Sequence, residues 1–461
     1  MNNALVFDPE LLQRYDLSGP RYTSYPTAVQ FHEGFGEDAY REAIAVSNAA
    51  ARPLSLYVHL PFCGTVCYYC ACNKIITANR KRASPYLEDL HREIELQAEL
   101  FTPGREVRQL HWGGGTPTFI SDEEMTALMN QLRGQFTFLD NDEGDYSIEI
   151  DPREVTPAKI AHLRKLGFNR MSFGVQDFDP KVQEAVNRIQ SVRETFEAVD
   201  AARTNGFKSI NIDLIYGLPF QTVDSFAVTL EKILELSPDR LSVFNYAHMP
   251  HLFKVQKQMD EATLPTPAVK LAILQYVIEK LTSEGYVYIG MDHFAKPDDE
   301  LALAQEHGTL YRNFQGYSTH AGCDLVAMGI TSIGMVDDTY SQNVKTLEEY
   351  HERVSAGQLP VYRGVKLTED DKLRRAIITE LICHFRVDMA AMGHAWSISF
   401  EDYFCKEQEQ LQGMAADGLL SLNDGHIQVL PRGRLLIRNI CMVFDAYLQG
   451  AEAKKRFSRV I

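Results

Sequence analysis

The chain has 461 residues, 45% of them hydrophobic and 23% charged, with a formal net charge of −16. This is the composition of an ordinary globular enzyme, long enough for a large domain and a smaller one. The acidic balance argues against broad nucleic-acid binding and against an anionic membrane surface.

The N-terminal "MNNALVFDPELLQRYDL" has no basic segment leading into an apolar core, so no signal peptide is read. No run approaches the roughly 18 apolar residues of a membrane span. A cytoplasmic location is expected, where thiols stay reduced. Residues 1–50 are expected to form an irregular arm, because "SGPRYTSYPT" (18–27) is rich in turn formers and tyrosine.

Residues 51–340 are expected to form a barrel domain. Strand-like runs occur at 54–60, 107–112, 146–150, 170–175, 209–216 and 240–247, with amphipathic stretches between them. Among the latter are "SPYLEDLHREIELQAELF" (84–101), with Ser84 as N-cap before Pro85, and 223–237. Six strand–helix repeats imply a parallel sheet buried on both faces, curled into a partial (β/α)6 TIM-like barrel in an α/β protein. In that architecture chemistry belongs at the carboxyl ends of the strands. Polar and glycine residues collect there: His59, Gly113–Thr116, Glu149 and Asp151, Gln176, Asp213, Tyr246 and His248.

Residues 341–461 are expected to form a mostly helical, winged-helix-like domain. Helices are read at 368–385, 400–420 and 431–448, with a small hairpin in "GLLSLNDGHIQVLPRGRLLI". The acidic balance disfavours DNA binding, so a lid or substrate-facing cap is the expected role. The absence of heptads or an apolar seam suggests a monomer.

Four of the eight cysteines fall in "PFCGTVCYYCACNK" (61–74): Cys63, Cys67, Cys70 and Cys72. Cys383 and Cys441 sit in apolar helical patterns and read as buried thiols. A tight cluster in a reducing compartment points to metal or catalysis rather than to a disulfide. Zinc commonly uses two separated knuckles, and there is no second C-x2-C or H-x3-H pair. An iron–sulfur cluster on a flexible loop fits better, and three thiolates would leave one iron open for a ligand. The glycine run "GGGT" (113–116) removes side chains where backbone approaches a ligand, and it lacks the pattern of a P-loop or dinucleotide site.

C-x3-C-x2-C after the first strand, with Tyr68 and Tyr69 inside it, resembles the motif of the radical S-adenosylmethionine (SAM) superfamily. "SGPRYTSYPT", "YVHLPFCGTVCYYCACNK", "QLHWGGGTPT", "SIEIDPRE", "GFNRMSFGVQDF", "NIDLIYGLPFQT", "DRLSVFNYAHMP", "GMDHFAKPDDELA" and "RNFQGYSTH" together resemble the bacterial oxygen-independent coproporphyrinogen III oxidases. The resemblance runs from about residue 10 to the terminal "FSRVI".

The resemblance implies that Cys63, Cys67 and Cys70 bind a [4Fe–4S] cluster whose fourth iron chelates one SAM. A radical made from that SAM would take hydrogen from a propionate of coproporphyrinogen III, CO2 would leave, and a vinyl group would remain, at two propionates. It assigns Tyr57, Gly114, Glu149 and the backbone of Ala247 and Ile333 to the first SAM. It assigns Gly115, Thr116, Gln176, Arg188, Asp213 and the backbone near Tyr69 to a second. Cys72, surplus to a three-thiolate cluster, is expected to be catalytic rather than a ligand, and Tyr57 is the second catalytic candidate. Arg21, Tyr22, Tyr25 and Arg312 are candidates for the substrate pocket, which should combine aromatics with cations. An electron donor and an acceptor are required but not identified. The alternative is a haem-binding delivery protein without oxidase activity; such relatives typically lack Cys72 and the "RYTSYPT" arm.

Overall fold

The structure is a computed structural model that describes residues 5–140, 142–448 and 457–459. Part of the terminal "FSRVI" lies outside the described residues. The chain divides into two compact units at points other than residues 50 and 340. One unit comprises Met1–Val29, Thr266–Ala321 and Leu367–Ile461, and the other Gln30–Pro265 and Gly322–Lys366.

The second unit holds six strands: β1 (Leu54–Leu60), β2 (Glu106–Gly114), β3 (Asp145–Ile150), β4 (Arg170–Gln176), β5 (Ser209–Tyr216) and β6 (Arg240–Asn245). They pair in parallel in the order β6-β5-β4-β3-β2-β1, the expected α/β alternation. Helix α1 (Glu37–Ala50) precedes them. Helices α2 (Ala83–Ala98), α3 (Asp122–Gln135), α4 (Pro157–Leu166), α5 (Val192–Thr204) and α6 (Val223–Leu236) connect successive strands. Capping boxes at Ser121, Ser191 and Thr222 set the starts of α3, α5 and α6.

A seventh parallel strand, β7 (Asp324–Met328), pairs with β1 on its other side. Strands β8 (Ile333–Val336), β9 (Thr339–Asn343) and β10 (Val361–Lys366) extend the sheet antiparallel. All five residues of β7 are buried, and so short an apolar run carries no period to read.

The expectation of apolar burial on both faces needs correcting. In β3 and over most of β5 fully buried residues alternate with half-buried ones, and apart from Ile215 the half-buried set is polar: Asp145, Ser147 and Glu149, Asn211 and Asp213. Register puts Glu149 opposite Ser172, and Gly174 opposite Asp213, which is opposite Ser242. One face packs as core and the other carries a polar network.

Two local expectations also change. Ser84 lies inside α2, which starts at Ala83 directly after a 3-10 turn over Arg80–Arg82. The Ser84 hydroxyl instead donates to Glu124 at 3.1 Å. The arm is not irregular throughout: it contains a short helix over Pro9–Arg14 as well as α1. Helix α1 buries Tyr40, Ala43, Ile44 and Ser47, an i, i+3, i+4, i+7 stripe disguised by its small residues.

Glu93 on α2 is fully enclosed and accepts hydrogen bonds from Gly329 N, Asn343 Nδ2 and the Tyr350 hydroxyl. It thereby ties α2 to the ends of β7 and β9. Burial pushes its pKa up to about 7 against those hydrogen bonds, from a free value near 4.5. A carboxyl raised on folding contributes fully below its unfolded pKa, and that contribution is lost as pH rises through the folded one. Stability should therefore fall by roughly 3 kcal/mol between pH 4.5 and 7 from this group. Denaturant unfolding at pH 5 and pH 7.5 checks this: Glu93→Gln, which cannot titrate, should show a shallower decline than the parent, and an identical slope would count against it.

In the first unit, the helix expected over 368–385 forms as Glu369–His384, with Thr368 as its N-cap. The expected helix over 400–420 is two helices, Phe400–Tyr403 and Cys405–Ala416, broken at Phe404. That ring is fully buried against Phe400, Tyr403 and Phe444. The expected helix over 431–448 is a 3-10 turn at Arg434–Leu436 and a short helix, Ile437–Val443. The hairpin forms as Leu420–Asn423 against His426–Val429, turning at Asp424-Gly425 with positive φ at both. Arg386–Asp388 adds a third strand. Cys383 and Cys441 are fully buried. Among the described residues no helix is long and apolar enough to cross a membrane.

Candidate cofactor site

The loop after β1 is clamped on two sides. Gly115 and Thr116 donate their backbone N–H groups to Leu60 O and Phe62 O, each at 2.8 Å. Tyr68 N donates to Val186 O at 3.0 Å, and Asn187 Nδ2 to Val66 O at 2.7 Å. The loop is thus held between the strand-two turn and the segment after β4.

Its four cysteines are free and line one cavity of about 240 Å³. The same cavity is lined by Tyr69, Gly114, Gly115, Thr116, Glu149, Gln176, Arg188 and Asp213. Apart from Tyr69, which sits on the cysteine loop itself, these come from β2, β3, β4 and β5 and from the loops that follow. The thiols have different neighbours. Cys63 accepts from the Thr116 hydroxyl at 3.5 Å. Cys67 accepts from Arg188 Nη1 at 3.5 Å and Arg153 Nη2 at 3.7 Å. Both arginines also bind Asp151, at 3.1 and 2.7 Å, which fixes their forks. A hydrogen bond from Cys72, with help from Lys74, brings the Cys70 thiol down to about 6 despite burial, whereas burial pushes Cys63 up to about 11. Cys72 is the exposed one of the four.

Glu149 accepts from Gly114 N at 3.1 Å and pairs with His111 Nε2 at 3.2 Å; its side chain is 45% exposed, facing the cavity. Burial would raise its pKa, but His111 and the Gly114 N–H outweigh it and hold the group ionised. Asp213 accepts from Ser172 Oγ at 2.8 Å and Asn211 Nδ2 at 2.7 Å, yet burial raises its pKa overall.

The glycine run has a tighter reason than ligand approach alone. A Cβ on Gly114, at φ +115°, would lie 2.7 Å from the His59 ring, and one on Gly115 2.7 Å from the Pro61 and Phe62 backbone.

The cavity fits an iron–sulfur group with a small polar ligand. Among the described residues no three His, Cys, Asp or Glu side chains converge as a cage for a single ion; the thiols line the cavity instead. Thiolates with hydroxyl and guanidinium donors on two of them suit a polynuclear cluster. Gln176, at φ 70°, leaves its buried Oε1 without a partner, and Arg188 leaves Nε, both on residues that line the cavity. Those unfilled groups are what a bound amino acid or ribose would satisfy.

Three expected residues do not line the cavity. Tyr57 stacks on His111 with ring centroids 5.9 Å apart and contacts His59 Nδ1 through its hydroxyl at 3.1 Å. The Ala247 carbonyl accepts from Gln256 at 3.3 Å, and Ile333 sits on β8 opposite Gln342. His59, Tyr246 and His248 also lie off the cavity. Arg21, Tyr22, Tyr25 and Arg312 belong to the other unit. Sequence reasoning missed Arg153, His111 and Ser172; the period-two alternation along β2 and β4 could have found the last two.

Residues 57–233 match the Radical SAM superfamily and residues 367–436 the HemN C-terminal domain. The oxygen-independent coproporphyrinogen III oxidase of Pseudomonas aeruginosa is 53% identical over 100% of both chains. That of Escherichia coli is 52% identical over 99% of this chain and 98% of its own. The solved structure of coproporphyrinogen III oxidase (HemN) from Escherichia coli, a radical SAM enzyme, superposes with a TM-score of 0.92 at 50% identity, covering 96% of this chain and 100% of that one. The chain belongs to the oxygen-independent coproporphyrinogen III oxidases, a radical SAM family that uses a [4Fe–4S] cluster and SAM.

Proposed function

We propose that the chain converts two propionates of coproporphyrinogen III to vinyl groups by oxidative decarboxylation, giving protoporphyrinogen IX in haem biosynthesis without oxygen. The observation that carries this is the single cavity where Cys63, Cys67 and Cys70 meet Glu149, Gln176, Arg188 and Asp213. When bound, the cluster and SAM supply a carbon-centred radical that removes a hydrogen atom from the propionate. The protein's part is to bind, orient and shield.

Cys63, Cys67 and Cys70 hold the cluster. Arg153 and Arg188 donate to the Cys67 sulfur and Thr116 to the Cys63 sulfur, which fixes the positions of the two sulfurs. Glu149, ionised and oriented by His111 and Gly114 N, accepts from the cationic amino group of the first SAM. Tyr57 steadies His111 from behind; Ala247 and Ile333, which lie off the cavity lining, are left out of that subsite. Gln176, Arg188, Asp213, Gly115, Thr116 and the backbone at Tyr69 take a second SAM. Cys72 faces the reaction space. Arg21, Tyr22, Tyr25 and Arg312 serve the substrate. The enzyme works as a cytoplasmic monomer with a separate electron donor and acceptor.

The test is an anaerobic reaction of reconstituted protein with SAM, a strong reductant and coproporphyrinogen III. Protoporphyrinogen and 5′-deoxyadenosine should both form. A protein that instead binds haem tightly and forms neither product is a haem carrier, and the proposal fails.

A further inference from the structure

Resting on that function, we propose that the Arg312 guanidinium is a carboxylate-binding subsite that recognises a propionate of the tetrapyrrole. Arg312 lies on the hairpin of Tyr311–Asn313 and Gly316–Ser318, directly opposite Tyr317. Its guanidinium carbon stands 4.6 Å from the Tyr317 ring centroid. That ring is fixed, because the Tyr317 hydroxyl donates to Ile382 O at 3.0 Å. Arg312 is 8% exposed, and its Nε and Nη1 are buried with no hydrogen-bond partner among the described residues.

An arginine in this setting needs an anion. It cannot shed its proton, and an unpaired buried guanidinium is costly unless something supplies the missing charge. The groups that feel it are Tyr317, the buried thiols Cys383 and Cys441, and another cation, Arg438. Burial raises both thiols, so neither supplies a negative charge. The nearby carboxylate Asp292 is taken by Arg21 at 2.7 Å. Arg438 spends its donors on the carbonyls of Gly19, Pro20 and Arg459. Burial, Arg21 and Arg312 all disfavour its charge, and its pKa falls to about 10. Glu380, the other ionisable group acting on Cys383, accepts no hydrogen bond from Arg312 Nε or Nη1, and both donors stay unfilled.

The other substrate candidates differ in this respect. The Tyr22 hydroxyl donates to Asp445 at 2.9 Å, and the Tyr25 hydroxyl accepts Ala446 N at 3.0 Å. Both rings are buried and hold the arm against the helix end after Val443. They are positioning residues, whereas Arg312 offers charge to a ligand. A planar guanidinium backed by a ring suits a carboxylate on a flat apolar macrocycle.

The experiment titrates reconstituted protein with coproporphyrin III and, separately, with its tetramethyl ester, following porphyrin fluorescence. Arg312→Gln should weaken the free acid at least about tenfold and leave the ester unchanged. Arg312→Lys should fall between. Because Arg312→Gln removes an unpaired buried charge, it should melt no lower than the parent. Equal affinity for the free acid in parent and Arg312→Gln would overturn the subsite. So would a variant that melts lower and loses the ester as well, since Arg312 would then be structural. Turnover of coproporphyrinogen III by the parent is measured on the same preparation: acid-selective binding with no turnover removes the proposed activity but leaves the carboxylate subsite standing.

Discussion

A Cys67→Ala protein is expected to lose its iron and at least about a thousandfold of its turnover, since the cofactor carries the chemistry. Cys67 is the most enclosed of the cavity thiols and the one with two guanidinium donors. Removing it would delete a proposed ligand, leaving Arg153 with Asp151 and Arg188 with Asp151 and the Gly174 carbonyl. The measurement is iron and sulfide per chain after anaerobic reconstitution, with the charge-transfer absorbance of the cluster. Cys63→Ala and Cys70→Ala should behave alike, because a three-thiolate site has no spare ligand. Full iron content in any of the three would show that the ligand set is wrong.

The opposite split is expected for Cys72→Ser. It should keep the parent's iron and sulfide and lose at least about a hundredfold in turnover. Cys72 lines the same cavity but is exposed, and its carbonyl, with that of Cys70, is held by Lys74 at 3.3 and 3.0 Å. The loop therefore keeps its shape when the thiol becomes a hydroxyl. Since serine preserves size and polarity, a loss of activity at unchanged iron would belong to the thiol's chemistry. Loss of the cluster would make Cys72 a ligand, and unchanged turnover would remove it from the reaction.

Much of this is legible in the sequence. Strand ends were readable because each barrel strand is bounded by proline, glycine or a polar residue: β1 and β5 fall at their expected limits, and β2, β3, β4 and β6 within two residues of them. The cavity was legible for the same reason, since carboxyl ends of parallel strands share one side of a sheet, and Glu149, Gln176 and Asp213 do meet there. Where expectation failed, the cause was long-range pairing or disguised pattern. Strand β7 joins β1 across more than 260 positions, which no local period can announce. Helix α1 hides its stripe behind alanine and serine. The grouping of 1–29 with 266–321 and 367–461 depends on contacts between distant segments, such as Arg21 with Asp292 and Tyr22 with Asp445. Polar residues on the inner face of β3 and β5 looked like exceptions one at a time; only register shows them as a network. Arg153 went unread because a surface arginine after a strand is common, and its contact with Cys67 is set by the loop's fold rather than by spacing.

The central claim is that this cavity carries an oxidative decarboxylation. It is tested most directly by supplying coproporphyrinogen III labelled in its propionate carboxyls to the reconstituted enzyme with SAM and reductant, and counting labelled CO2. The account predicts two CO2 released per substrate consumed, matched by two 5′-deoxyadenosine and two new vinyl groups, with no release by Cys67→Ala. Cleavage of SAM with every carboxyl retained would contradict it.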